Sequence, residues 1–109
     1  MTDPETWKID KDASYMHMCT NETVHGFEIT NENFPWEMFP EDLVIVADMS
    51  SHIGTFDINW KRFDVVYGGC QKNLGPAGSN FVICRKDLLN KCEKDCPMIV
   101  DWSLHEKSG

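Results

Sequence analysis

The chain has 109 residues, 41% hydrophobic and 26% charged, an ordinary globular composition that excludes disordered and collagen-like classes. Its net charge of −8 leaves no surplus of lysine and arginine to neutralise phosphates, so neither nucleic acid nor an anionic membrane is expected as a partner. No apolar stretch approaches the roughly 20 residues that span a bilayer, and Met1-Thr-Asp-Pro-Glu-Thr-Trp-Lys8 lacks the basic start and apolar core of an export signal, so a cytosolic setting is expected.

Ser14-Tyr-Met-His-Met-Cys-Thr20 is a short extended run, and Asn21-Glu-Thr-Val-His-Gly26 reads as the loop leaving its end. Asn21-Glu-Thr23 matches a glycosylation acceptor, which a cytosolic chain never uses. Phe27 to Ile29 forms another short extended piece. Thr30 to Asp42, with Pro35 and Pro40, is an irregular connection whose Phe34, Trp36 and Phe39 are packing residues. Leu43 to Ala47 is apolar without alternation, the pattern of a strand buried on both faces.

Met49 to Asn59 is a loop, Ile58 to Phe63 spans one helical turn, and Val65 to Tyr67 opens the next buried strand. Gly68, Gly69, Gly75 and Gly78 bracket Lys72, letting backbone approach a ligand closely. Asn80 to Arg85 is a third strand, reached by so short a turn that it must run antiparallel to its predecessor. Lys86 to Lys94 is expected as a short helix with Asp87 near its start, and Pro97 as a terminator. Parallel strands with so little helix to cover them indicate part of a larger α/β domain.

Five cysteines at irregular spacing (Cys19, Cys70, Cys84, Cys92, Cys96) fit reduced thiols rather than a disulfide framework. Cys92-x3-Cys96 lacks a second pair, so no metal site is expected.

Chemistry concentrates where the strands end. Leu43-Val-Ile-Val-Ala-Asp-Met-Ser-Ser51 runs into Asp48, and Asp64-Val-Val-Tyr-Gly-Gly-Cys-Gln-Lys72 runs into Lys72, 24 positions later. Two neighbouring parallel strands would carry an acid and an amine to one sheet edge, where α/β sheets bind ligands. Three readings stay open at this point: a salt bridge, a phosphate site, or a pyridoxal phosphate site in which lysine binds the cofactor and the acid faces its ring nitrogen. The phosphate reading lacks the Gly-rich Walker pattern, because Lys72 precedes its glycines.

Five segments, in order and spacing, resemble the middle of the phosphoserine aminotransferase family. They are Tyr15-Met-His-Met-Cys-Thr-Asn-Glu-Thr-Val-His-Gly26, Val46-Ala-Asp-Met-Ser-Ser51, Cys70-Gln-Lys-Asn-Leu-Gly-Pro-Ala-Gly78, Arg85-Lys-Asp-Leu-Leu89 and Cys96-Pro97. The likeness runs from about Trp7 to Trp102. It implies the α/β fold of the fold-type-I pyridoxal phosphate enzymes, with residues 1–109 a central piece of the cofactor-binding large domain, cut at both ends. It also implies a homodimer that transfers the amino group of L-glutamate to 3-phosphohydroxypyruvate, giving O-phospho-L-serine and 2-oxoglutarate for serine biosynthesis. The motifs of cysteine desulfurases, a related activity, are not seen.

At matching positions the resemblance implies that Lys72 binds pyridoxal 5'-phosphate covalently and moves the substrate's α-proton. Asp48 matches the acid at the pyridine nitrogen, Gln71 a donor to the cofactor phosphate, and Thr23 a hydroxyl near the phenolic oxygen; Ser50 belongs to the same neighbourhood. The stacking tryptophan, the rest of the phosphate grip and the substrate-binding arginines are expected outside this sequence. Gly69 and Cys70 stand where the family has alanines, and His52 where an asparagine is usual. The alternative reading is a truncated, catalytically inactive product that associates at most with full-length subunits.

Overall fold

The structure, a computed structural model, describes residues 3–108, so the outermost residues of the expected 1–109 segment lie outside the description. In chain order the strands are β1 (Tyr15–Cys19), β2 (Asn21–Glu22), β3 (Phe27–Glu28), β4 (Val44–Asp48), β5 (Val65–Gly69) and β6 (Asn80–Cys84), followed by one helix, α1 (Trp102–Ser108). Four of them make a mixed sheet in the order β1-β4-β5-β6, while β2 and β3 form a separate small hairpin. β1, β4 and β5 are parallel and β6 returns antiparallel, as the turn after Lys72 requires.

One face of the sheet is filled. Met18, Ile45, Ala47 and Val66 point into a core completed by Phe34, Trp36, Phe39, Ile53 and Ile58 from the connections between parallel strands. Phe34 stacks on Phe39 with ring centres 5.8 Å apart and meets Trp36 edge-on at 4.8 Å; Trp36 meets Phe63 at 5.3 Å. The aromatics of the irregular connection therefore do the covering that helices do in a typical α/β unit.

Three expectations need correction. The apolar run at β4 is not buried on both faces: Ile45 and Ala47 are buried, whereas Val44 and Val46 are only half-buried. The connections between the parallel strands fill one side, while on the other Val65, the register partner of Val46, is buried in the cleft that Trp102 lines. Lys86 to Lys94 is not a helix but a single 3-10 turn, Lys86–Leu88, after which the chain extends at Leu89 and Asn90 takes a φ of 62°. Adjacent Leu88 and Leu89 do not repeat along a helical face, and so short a helix needs such packing to persist. Pro97 starts a turn, Met98–Val100, rather than ending the segment.

The one-turn expectation at 58–63 is met by a 3-10 turn at Trp60–Arg62. Helix α1 was not foreseen; its start is capped by Asp101, whose Oδ1 accepts from the backbone N–H of Ser103 at 3.0 Å and its hydroxyl at 2.6 Å. Those bonds, the hydroxyl first, hold the Asp101 carboxyl below its ordinary range. Among the described residues no helix is long and apolar enough to cross a membrane.

Candidate functional site

The carboxyl ends of β1, β4 and β5 meet along one edge, and hydrogen bonds join the loops that leave them. At the end of β1, the Thr20 N–H donates to the Asp48 carbonyl at 3.2 Å, and Asn21 O accepts from the Ser51 hydroxyl at 2.6 Å. From the β5 side, the Asn73 side-chain amide donates to the carbonyls of Ser51 and Ile53, each at 3.1 Å. The Lys72 turn closes on itself, Cys70 O accepting from Leu74 N at 3.0 Å and Gly75 N at 2.9 Å. Each bond satisfies a backbone group that a strand end would otherwise leave bare.

Asp48 ends β4 on the half-covered face, and Ser50 holds its carboxylate. The Ser50 N–H and hydroxyl both donate to Asp48 Oδ1, at 2.8 and 2.6 Å, while Ser50 Oγ accepts from Gly69 N at 3.2 Å. Among the described residues no hydrogen bond goes to Oδ2. Ser50 therefore positions the acid and leaves one oxygen to accept a proton donor from outside. Gly68 makes this possible: a Cβ there would lie 2.8 Å from Ser50 N and Cα. At Gly69 the atoms nearest an added carbon are the end of the Gln71 side chain, which can swing away, so an alanine there needs no backbone shift from them.

Thr23 lies in the β2–β3 turn and is exposed. Glu22 builds that turn, accepting from the backbone N–H of Val24 at 2.9 Å and of His25 at 2.6 Å and pairing with His25 Nδ1 at 2.8 Å. These bonds, the backbone ones foremost, hold the Glu22 carboxyl below its ordinary range. The turn brings Thr23 Oγ1 within 3.4 Å of Lys72 Nζ. Among the described residues Asp48 and Lys72 form no ion pair, so the salt-bridge reading does not describe this edge. Gln71 is exposed beside Lys72, its side chain folded over Gly69.

Thr23, Asp48, Gln71 and Lys72 thus lie on the same edge, one hydrogen bond joining the first and last. Sequence reasoning missed Thr20, Ser51, His52 and Asn73, which lock the loops together. His52 is 2% exposed, and its Nε2 stands 2.8 Å from Thr20 Oγ1. No local pattern marks a loop histidine as buried; only its place next to the paired serines could have drawn notice.

Below Asp48 on the same face, His17 on the edge strand β1 reaches over to β5, with Nε2 2.8 Å from the Tyr67 hydroxyl. Burial, then the negative charge of Asp48, push the Tyr67 phenol above its ordinary pKa. Beside it a cleft of about 460 Å³ runs from Ser50 and Gly69 to Trp102.

Residues 1–108 match the aminotransferase class-V family. The chain belongs to the class-V aminotransferases. Among its class-V relatives, the phosphoserine aminotransferase of Ralstonia nicotianae is 44% identical over 107 residues, which is 98% of this chain and 28% of that protein. That of Herminiimonas arsenicoxydans is 44% identical over 100 residues, 92% and 26% of the two. Of solved class-V structures, a phosphoserine aminotransferase from Bacillus circulans subsp. alkalophilus superimposes with a TM-score of 0.79 at 32% identity, covering 93% of this chain and 27% of its own. The PLP-bound enzyme from Trichomonas vaginalis gives 0.81 at 33%, covering 98% and 28%. The fold is that of the fold-type-I enzymes, and the chain spans little more than a quarter of the length of these relatives.

Proposed function

We propose that this chain is the central part of the cofactor-binding large domain of a phosphoserine aminotransferase, and that its strand-end residues hold pyridoxal 5'-phosphate. The observation that carries the reading is the meeting of Lys72 with Thr23 at 3.4 Å, on the edge where Asp48 keeps one oxygen free of protein donors. The residues fit the group. An ionised Asp48 Oδ2 can take the N–H of a protonated pyridine, the Thr23 hydroxyl can donate to a phenolate, and the Gln71 amide to a phosphate. When bound, the cofactor draws electrons from the substrate's α-carbon, which makes the α-proton removable.

The chain's own part is to hold and move protons. Asp48, fixed by Ser50, would face the ring nitrogen and favour its protonated form. Lys72 Nζ would hold the cofactor covalently until the substrate's amine displaces it, and the freed amine would then carry the α-proton away and back. Thr23 would steady that amine through the 3.4 Å contact with Lys72 Nζ. The proposed substrates are L-glutamate and 3-phosphohydroxypyruvate, the products 2-oxoglutarate and O-phospho-L-serine, and the partner a second subunit, in the serine-biosynthetic setting of the relatives. Five free cysteines support a reducing, cytosolic compartment.

A second reading has its own support: the partly open second face of the sheet favours a catalytically inactive product that associates at most with full-length subunits. Incubation with pyridoxal 5'-phosphate, borohydride reduction and peptide mapping tests the site; label is expected on Lys72 and absent from Lys72→Ala. Label on other lysines, or on none, would sink it. Little turnover is expected of the 109-residue chain in a transaminase assay; turnover that is lost in Lys72→Ala would sink the second reading.

A further inference from the structure

Outside the proposed cofactor contacts, and among the described residues, one buried side chain has a ring nitrogen without a hydrogen bond. His52 Nδ1 is enclosed and unbonded, and it faces Glu28 Oε1 at 3.3 Å. The other nitrogen, Nε2, is 2.8 Å from Thr20 Oγ1, and the ring stands edge-on to Phe56 at 4.7 Å. Glu28 is on β3, Thr20 follows β1, and His52 sits in the loop after Asp48, so this triad joins the hairpin that carries Thr23 to the loop that carries Ser50.

Proton accounting decides the state of the ring. A threonine hydroxyl has one proton to give. The Thr20 hydroxyl can reach the Asp48 carbonyl at 3.1 Å or His52 Nε2 at 2.8 Å, and that carbonyl already receives the Thr20 N–H at 3.2 Å. If the proton went to Asp48, neutral His52 would have to donate through Nε2. Its Nδ1 lone pair would then face a carboxylate oxygen in a site closed to water, two acceptors together, which is costly. If the proton goes to His52, Nδ1 carries the ring's hydrogen toward Glu28, whose half-exposed carboxylate stands 3.3 Å away as an acceptor.

We infer that His52 is a positioning residue, held as the Nδ1–H tautomer between the Thr20 hydroxyl and Glu28, and that it fixes the β2–β3 hairpin against the Asp48 loop. Its bearing on the cofactor rests on the function proposed above, since the hairpin sets where Thr23 stands relative to Lys72. Burial holds the His52 pKa below its ordinary value, against the opposing pull of Glu28, in keeping with a neutral ring.

The test uses the 109-residue chain and needs no cofactor, so its failure is distinct from failure of the labelling experiment. Imidazole nitrogen shifts by NMR at pH 7.5 should show Nδ1 protonated and Nε2 bare in the native chain. Glu28→Ala, at an exposed position, should move the population toward Nε2–H. Amide exchange at Gly26 and Ile29, which bond back across the hairpin, should rise about tenfold in His52→Phe while Ala47 and Val66 hold. His52→Gln should restore protection, because an amide both donates and accepts. A native Nε2–H tautomer would overturn the inference. So would a tautomer indifferent to Glu28→Ala, unchanged hairpin exchange in His52→Phe, or failure of glutamine where phenylalanine also fails.

Discussion

The two faces of the sheet are built from the same strands and do opposite work. On one, Met18, Ile45, Ala47 and Val66 are covered by the Phe34, Trp36 and Phe39 cluster. On the other, one residue along in each strand, lie His17, Val46, Asp48 and Tyr67, with Tyr15 59% and Val82 49% exposed. Strand alternation forces the division, since neighbouring side chains point to opposite sides. Stability is concentrated on the first face, and the proposed chemistry hangs on the edge of the second. Substitutions on the filled face should therefore unfold the chain, and those on the open face should alter the site while leaving the fold.

The sharpest break would come from Trp36. Trp36→Ala removes ring contacts to Phe34 and Phe63 and the indole N–H bond to Thr30 O at 3.1 Å, and should cost about 3–5 kcal/mol in urea denaturation. Tyr15→Ala on the open face should stay within about 0.5 kcal/mol. Equal losses at the two would remove the asymmetry. Next in size is Gly68→Ala, whose methyl would press on the Ser50 backbone and should cost about 1–3 kcal/mol, against near-neutral Gly69→Ala. A harmless Gly68→Ala would mean that Ser50 is not held as tightly as its bonds to Asp48 imply.

A smaller effect follows from His52. Its folded-state pKa lies below the ordinary 6.5, so between the two values the unfolded chain binds more protons than the folded one. Stability should thus be full above about pH 7, decline as pH falls through the unfolded value, and level off below the folded one. Urea midpoints from pH 7.5 to 5 would follow it, above the range where carboxylates titrate. His52→Gln, which does not titrate there, should flatten the slope; a slope that survived would assign it to another group.

How much of this was legible in the sequence differs between edge and interior. The strand ending at Asp48, the strand leading into the Lys72 turn, their parallel pairing and the antiparallel return followed from apolar runs and the length of the connecting turn. The one-sided burial of β4 did not, because an apolar run records which residues tolerate burial and not what arrives to cover them. Residues expected to touch the cofactor were recognisable as short motifs. The residues that hold them, Thr20, His52 and Asn73, were not, since a buried polar link joins loops distant in sequence and leaves no periodic trace. The missing helix at 86–94 and the unforeseen α1 show the same limit, for short helices are decided by caps and packing rather than by propensity.

The smallest expected effect probes the open face itself. Tyr67 and His17 bridge β5 and β1 across Val46, with rings stacked at 5.9 Å and a 2.8 Å hydrogen bond between exposed tips. Tyr67→Phe keeps the ring and deletes the hydroxyl. Solvent can replace the lost partner for His17, so the change should cost less than about 1 kcal/mol. Asp48 and Tyr67 are register partners on neighbouring strands; removing the phenol should still leave label on Lys72 intact, because Ser50 orients the carboxylate. A large loss of stability would instead make the His17–Tyr67 bridge a structural clamp and the open face a second source of stability. Loss of labelling with stability kept would extend the cofactor site down the strand to Tyr67, and would move the boundary between the two faces from the sheet edge into its middle.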